Sequence, residues 1–302
     1  MEAYRIIKEK KGKKYFFRST VNQRLQHIIL ATCVIVLVLT GMPLKFHDAF
    51  WAPYLYSLFG GIKVAPIIHK TAGCILMLLF VYHIIYLACT IYIGQIAPLR
   101  KKKELSAGKL IKLLATQPFI PNRKDLKDII QLFKYLLFLT DQKPQGDEFT
   151  WKNKFDYWAP FWGIPVLGIS GLMMWNKEFA TRLLPGEIIN YALIAHSDEA
   201  LLAALFLFIW HWYNVHFKTS VFPMGTVFIT GYLSEKLMVE DHYEYYVKIM
   251  KKAGLEHEIL PPNDSYIRKP AKGKMVREES DTTSADVNFQ TMNPRKGESR
   301  ND

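Results

Sequence analysis

Residues 69–85 read HKTAGCILMLLFVYHII, an apolar run with a histidine near each end. Imidazole is costly in lipid, so histidines in such a run point to function; the plainer reading is a histidine that pairs with a neighbouring helix. At 1.5 Å and about 100° per residue, His69 and His83 would lie ~21 Å apart along a helix and only ~40° off one face. The rest of the chain has to choose between the two readings.

Four runs in the 302-residue chain are long enough to cross a bilayer, which takes ~20 apolar residues as a helix. They place spans at about 27–46, 69–96, 156–177 and 193–217. The fold expected is an all-α integral membrane protein, a four-transmembrane-helix bundle with a cytoplasmic amphipathic loop helix and a tail. Lys and Arg number eight in residues 1–26, thirteen in 97–156 and thirteen after Phe217. The short loops near 47–66 and 177–192 hold only Lys63, Lys177 and Arg182. The positive-inside rule then puts both termini and the long loop in the cytoplasm, as in a multi-pass protein of a bacterial-type inner (cytoplasmic) membrane. Anionic lipid accounts for the net charge of +12, and no nucleic-acid partner is expected.

The domain reading is a basic cytoplasmic N-terminus at 1–26, retained ahead of a first span, and a transmembrane unit at 27–220 with its inner loop at 97–155. A membrane-proximal segment with a helix follows at 221–260, then a polar tail at 261–302 expected to be disordered. Leu126–Leu139 is apolar along most of one face and suits a helix lying on the inner surface. The segment SVFPMGTVFITGY, broken by Pro223, Gly225 and Gly231, reads as re-entrant or surface-bound. No internal repeat is evident. Cys33, Cys74 and Cys89 all lie inside spans and form neither a disulfide framework nor a zinc site, and no C-x-x-C-H motif attaches a c-type haem.

Six histidines sit in or at the ends of spans: His27, His69, His83, His196, His211 and His216. His196 and His211 would lie ~22 Å apart along the fourth helix and ~60° off one face. Two such helices side by side offer facing imidazoles at two depths. A compact Zn or Cu site would gather its ligands at one depth. Two bis-histidine haems stacked across the bilayer suit the separation, because helix bundles build cofactor sites between facing helices. Gly41, Gly73, Gly168 and Gly171 fall within spans, where a missing side chain lets a macrocycle or another helix come close.

These residues resemble the membrane cytochrome b subunits of respiratory formate dehydrogenases, with relatives in nickel–iron hydrogenases and other bacterial di-haem cytochromes b. The resemblance is carried by RLQH at 24–27 with LTG at 39–41, HK-x-x-G at 69–73 and KFDYWAPFWG at 154–163. HSDEALLA at 196–203 and the H-x-x-x-x-H-F…FPM…TG sequence ending near Gly231 complete it. It implies four helices, two b-type haems, and electron exchange between an outer redox partner and the quinone pool, menaquinone or ubiquinone. By position it implies His69 with His196 on the outer haem and His27 with His211 on the inner one. Arg24, three residues before His27, would then face a haem propionate or the quinone vicinity. The His69/His83 and His196/His211 pattern is also similar to cytochrome b of bc-type complexes, which takes all four ligands from two helices. His83 and His216 therefore stay in reserve, and with them a third haem.

The leading expectation is an electron-transfer subunit whose substrate chemistry lies on a partner, an extracytoplasmic Fe–S or multihaem cytochrome subunit. The rivals are a self-contained membrane quinol oxidoreductase acting on an external acceptor, and a haem-free transporter.

Overall fold

The computed structural model describes residues 6–10 and 12–262, and the tail expected beyond 262 lies outside the described residues. Helices dominate. Three are long and apolar enough to cross a membrane: α1 (Val21–Lys45), α3 (Ala65–Lys101) and α8 (Ile188–Phe217). A fourth long helix, α6 (Trp151–Trp175), packs beside α8 and α3. Short helices α2 (Ala52–Leu58) and α7 (Lys177–Leu183) bridge α1 to α3 and α6 to α8. Between α3 and α6 lie α4 (Ala107–Ala115) and α5 (Arg123–Leu136).

Two of the long helices start in the same way. Gln23 N–H donates to Thr20 Oγ1 at 3.3 Å while Thr20 N–H donates to Gln23 Oε1 at 2.9 Å, a reciprocal cap that opens α1. Thr150 and Asn153 repeat it at the head of α6, at 3.3 and 3.1 Å. Each cap satisfies orphan N–H groups that the first helical turn leaves behind. Apolar side chains on α3 and α8, among them Leu78, Val81, Ile85, Leu202 and Ile209, stay exposed on the outer faces, as a lipid-facing surface requires. On α5 the exposed apolar residues Leu126, Ile130 and Phe133 form one stripe at helical spacing.

The chain also builds a small unit that the sequence pattern does not announce. Strands β1 (Ile7–Lys10) and β2 (Lys13–Phe17) form a hairpin, and β3 (Tyr232–Ser234) pairs antiparallel with β2, Phe16 opposite Leu233. Helices α9 (Val227–Thr230), α10 (Glu235–Asp241) and α11 (Tyr243–Lys252) flank β3 in sequence. Phe16, Met238, Val239, Tyr246, Ile249 and Met250 make the core of this unit. Gly231, at φ +78°, ends α9; a Cβ there would meet Ser19 O at 2.7 Å, so only glycine lets the chain pass α1 into β3. The N-terminal residues and the segment after α8 thus fold together.

Beside this core, His242 is buried and held down to about 3, first by burial and then by the nearby Arg18 guanidinium. Its Nδ1 lies 2.7 Å from Asp147 O. Arg18 lies over the rings of Phe149 and Tyr245 at 5.5 and 5.9 Å. An unfolded histidine titrates near ~6.5. Below that value the unfolded chain takes up a proton that the folded site refuses, so this group's contribution falls as pH drops from ~6.5 toward about 3.

Two measurements check this unit. Tyr246→Ala should cost about 3–5 kcal/mol and make the β1–β2 hairpin the first site of tryptic cleavage. Thermal midpoints recorded from neutral to mildly acidic pH should fall, and His242→Gln should flatten that dependence. An equal slope in the variant would assign the acid sensitivity to other groups.

Candidate functional site

Histidines on three helices meet in two pairs. His69 on α3 faces His196 on α8, with ring centres 6.2 Å apart. His27 on α1 faces His211 on α8, with ring centres 6.4 Å apart. A metal held between two imidazoles by bonds of about 2.0–2.1 Å would set their ring centres roughly 6 Å apart. Both pairs have that spacing.

The first pair is held symmetrically. His69 Nδ1 lies 2.9 Å from Thr40 Oγ1, and His196 Nδ1 lies 3.1 Å from Ser170 Oγ and 2.9 Å from Leu167 O. Each hydroxyl also donates back to its own helix, Thr40 to Val36 O at 2.7 Å and Ser170 to Val166 O at 2.5 Å. With Nδ1 engaged, Nε2 is the nitrogen left for a metal, and the ring is fixed in orientation. Glycine completes each clamp: a Cβ on Gly41 would come within 3.0 Å of His69 Cε1, and one on Gly171 within 3.2 Å of His196 Cε1.

The second pair has a different holder. His211 Nδ1 lies 3.4 Å from Asp156 Oδ2, while Trp210 Nε1 donates to Asp156 Oδ1 at 2.9 Å. Phe228 of α9 packs on His27 and His216, with ring centres 5.9 and 5.8 Å away. Arg24 donates through one guanidinium nitrogen to Ile229 O. Its Nε, with His216 Nδ1, Ser19 Oγ and Ser220 Oγ, is buried and finds no hydrogen-bond partner among the described residues. A buried guanidinium N–H without an acceptor suits an anionic group such as a haem propionate.

His83 is placed differently. Its Nδ1 lies 2.7 Å from Gln26 Oε1 and its Nε2 3.1 Å from Tyr157 OH, so both nitrogens are engaged by side chains. It shares α3 with His69 but joins a hydrogen-bonded chain with Gln26, Asn22 and Tyr82. His216 lies in the last turn of α8, against Phe228 and Phe217.

These contacts expose an internal repeat. Thr20, Leu37, Thr40 and Gly41 recur 130 residues later as Thr150, Leu167, Ser170 and Gly171. At the same offset, Gln26 and His27 correspond to Asp156 and Tyr157. The partner helices match through His69 with His196 and His83 with His211, spaced by fourteen and fifteen positions. The extra residue is taken up by a π-type turn at Phe206–His211, whose wider loop returns His211 to the face and depth of its counterpart. The contacts repeat as well. Gln26 holds His83 Nδ1 as Asp156 holds His211 Nδ1, and Tyr157 faces His83 as His27 faces His211. At the far end, Lys45 donates to Ser197 Oγ at 3.1 Å, and Lys70 lies 5.2 Å from the Trp175 ring centre, at the matching positions.

The sequence marks all six histidines but not their holders. Gln26, Thr40 and Ser170 are ordinary polar residues in apolar helices. Asp156 carries one signal, an acidic side chain at the head of a long apolar run.

Two imidazole pairs at metal-ligating distance, each with a braced ring and glycine clearance beside one of them, fit haem. A family model described as prokaryotic cytochrome b561 matches residues 18–224. Compared with curated proteins one by one, the chain has no significant match. The matched region covers the spanning helices and both histidine pairs, and it supports a place in the bacterial inner membrane. The chain belongs to the prokaryotic cytochrome b561 family: it is a membrane cytochrome b, a haem-b electron-transfer protein.

Proposed function

We propose that the chain is the membrane subunit of a respiratory complex, carrying electrons between the quinone pool and an extracytoplasmic redox partner through two b-type haems. The observation that carries this reading is the pair of imidazole couples, His69–His196 and His27–His211, at two levels of one helix bundle. Bound between them, haem b supplies a one-electron couple whose potential the axial ligands set. His69 and His196 would hold the outer haem. His27 and His211 would hold the inner one, with Arg24 turned to a propionate.

In this reading α1, α3, α6 and α8 all span, and both termini and the loop carrying α4 and α5 lie in the cytoplasm. The protein's own contribution is fixity. Thr40, Ser170 and Asp156 hold the Nδ1 atoms of His69, His196 and His211, so that these rings would offer Nε2 to a haem iron in one orientation. Helices α1, α3, α6 and α8 keep water from the levels between. The quinone, menaquinone or ubiquinone, would exchange electrons near the inner pair. The outer ends of α1 and α8, where Lys45 pairs with Asp198 at 2.6 Å, would face the Fe–S or multihaem partner.

His83 enters this reading as a bridge between helices, because Gln26 and Tyr157 already occupy both its nitrogens. That favours His27 over His83 as the partner of His211.

The purified protein should give about two non-covalent b haems per chain in a pyridine haemochrome assay; none would reject the reading. His69→Ala and His196→Ala should each remove the same haem, and His27→Ala the other. His83→Ala should leave two low-spin haems with an altered inner potential, and loss of the inner haem there instead would transfer the ligand role to His83. Reporter fusions after Phe46 and Lys177 should lie outside, and those after Lys112 and at the C-terminus inside. Co-purification of an Fe–S or multihaem subunit would separate this role from a self-contained quinol oxidoreductase.

A further inference from the structure

Four polar side chains hold the Nδ1 atoms of the four imidazoles that the repeat places in register. Thr40 holds His69, Ser170 holds His196, Gln26 holds His83 and Asp156 holds His211. Three of the four are neutral. The fourth is a carboxylate, and it stands on His211, while the matching neutral amide, Gln26, stands on His83, whose other nitrogen is already bonded to Tyr157. The repeat thus contains its own comparison: the same position on the same kind of helix carries an amide in one half and an acid in the other.

Resting on the haem assignment above, we infer that Asp156 is a positioning residue that lowers the reduction potential of the haem held by His27 and His211. A carboxylate accepting the Nδ1–H of an axial histidine makes the imidazole a stronger donor and favours the more positive, oxidised iron. Hydroxyls accepting from His69 and His196 exert this pull far less, because a charged acceptor makes a hydrogen bond roughly twice as strong as a neutral one. Trp210 N–H shares the carboxylate at 2.9 Å against 3.4 Å for His211, so it both aims Asp156 and takes up part of its charge. One side chain therefore sets the level of His27 and His211 electronically apart from that of His69 and His196, whose side-chain holders are neutral.

The test is redox titration of the purified, full-length protein, followed by visible absorbance. Asp156→Asn, which puts a Gln26-like amide at this place, should keep two low-spin haems. It should raise one midpoint potential by the equivalent of about a tenfold change in the reduction equilibrium, about 59 mV for one electron, and leave the other in place. The shifted potential should be the one missing from His27→Ala, and Asp156→Glu should return it toward the original value. Should the Asn variant shed that haem, Trp210→Phe decides, because it leaves the carboxylate to His211 alone and should lower the same potential. Unmoved potentials in a two-haem Asn variant, equal shifts at both haems, or an unmoved potential in Trp210→Phe where that variant decides would each overturn the inference. Absence of b haem from the unaltered protein would instead overturn the proposed function on which it rests.

Discussion

A histidine inside a membrane needs a partner for each nitrogen, and here that requirement organises the bundle. Where one nitrogen is to be left for a metal, the other must be satisfied by protein, at a cost of several kcal/mol if it is not. Thr40 and Ser170 meet the need at one level, and each hydroxyl also bonds its own helix backbone, so it is held before it holds the ring. The Cε1 and Nδ1 side of the ring then lies close against the next residue, Gly41 or Gly171, where a Cβ would crowd it. A two-residue unit, hydroxyl then glycine, thus fixes the ring, spaces the helices and directs Nε2.

That unit occurs twice because the helix pair occurs twice. Helices α1 and α3 form one hairpin, α6 and α8 the other, and capping boxes at Thr20 and Thr150 start their first members in phase. The halves differ in most apolar residues, but the polar contacts occupy matching places. Even the insertion in the second half is accommodated: the wide turn before His211 absorbs one residue without moving the ring off its level. Such turns are frequent where function sits, because they adjust one face of a helix and leave the rest in register.

Much of this was readable in the sequence. Apolar length located the long helices, and the histidine spacing gave two depths and nearly one face. The repeat was hard to read, since the residues it keeps, such as Thr20/Thr150, Leu37/Leu167 and Gly41/Gly171, are few and scattered, and others differ in type: Thr for Ser, Gln for Asp, His for Tyr. Only their shared contacts identify them as counterparts. The β-hairpin at 7–17 was equally hidden, because its basic residues read as a solvated leader and its one strand partner, Tyr232–Ser234, lies more than two hundred residues on. Phe16, fully buried against Tyr246, anchors it, and that burial is visible only in the fold. Depth and periodicity treat His27 and His83 alike, and the resemblance at RLQH put His27 first; that Gln26 and Tyr157 engage both nitrogens of His83 needed coordinates.

Two-fold repetition has an arithmetical consequence. A place shared by equivalent residues of both halves, such as that between His69 and His196, lies on the relating axis and can exist only once. A place away from the axis is generated in duplicate. His27 opposite His211 has its twin in Tyr157 opposite His83, and the twin is closed by a phenol hydrogen-bonded where the first has an imidazole. The bundle therefore has an odd number of such places, one single and two twinned, and one twin carries a phenol in place of an imidazole. The imidazole pairs thus lie on the axis and to one flank of it only, which gives a repeated scaffold a sidedness across its section.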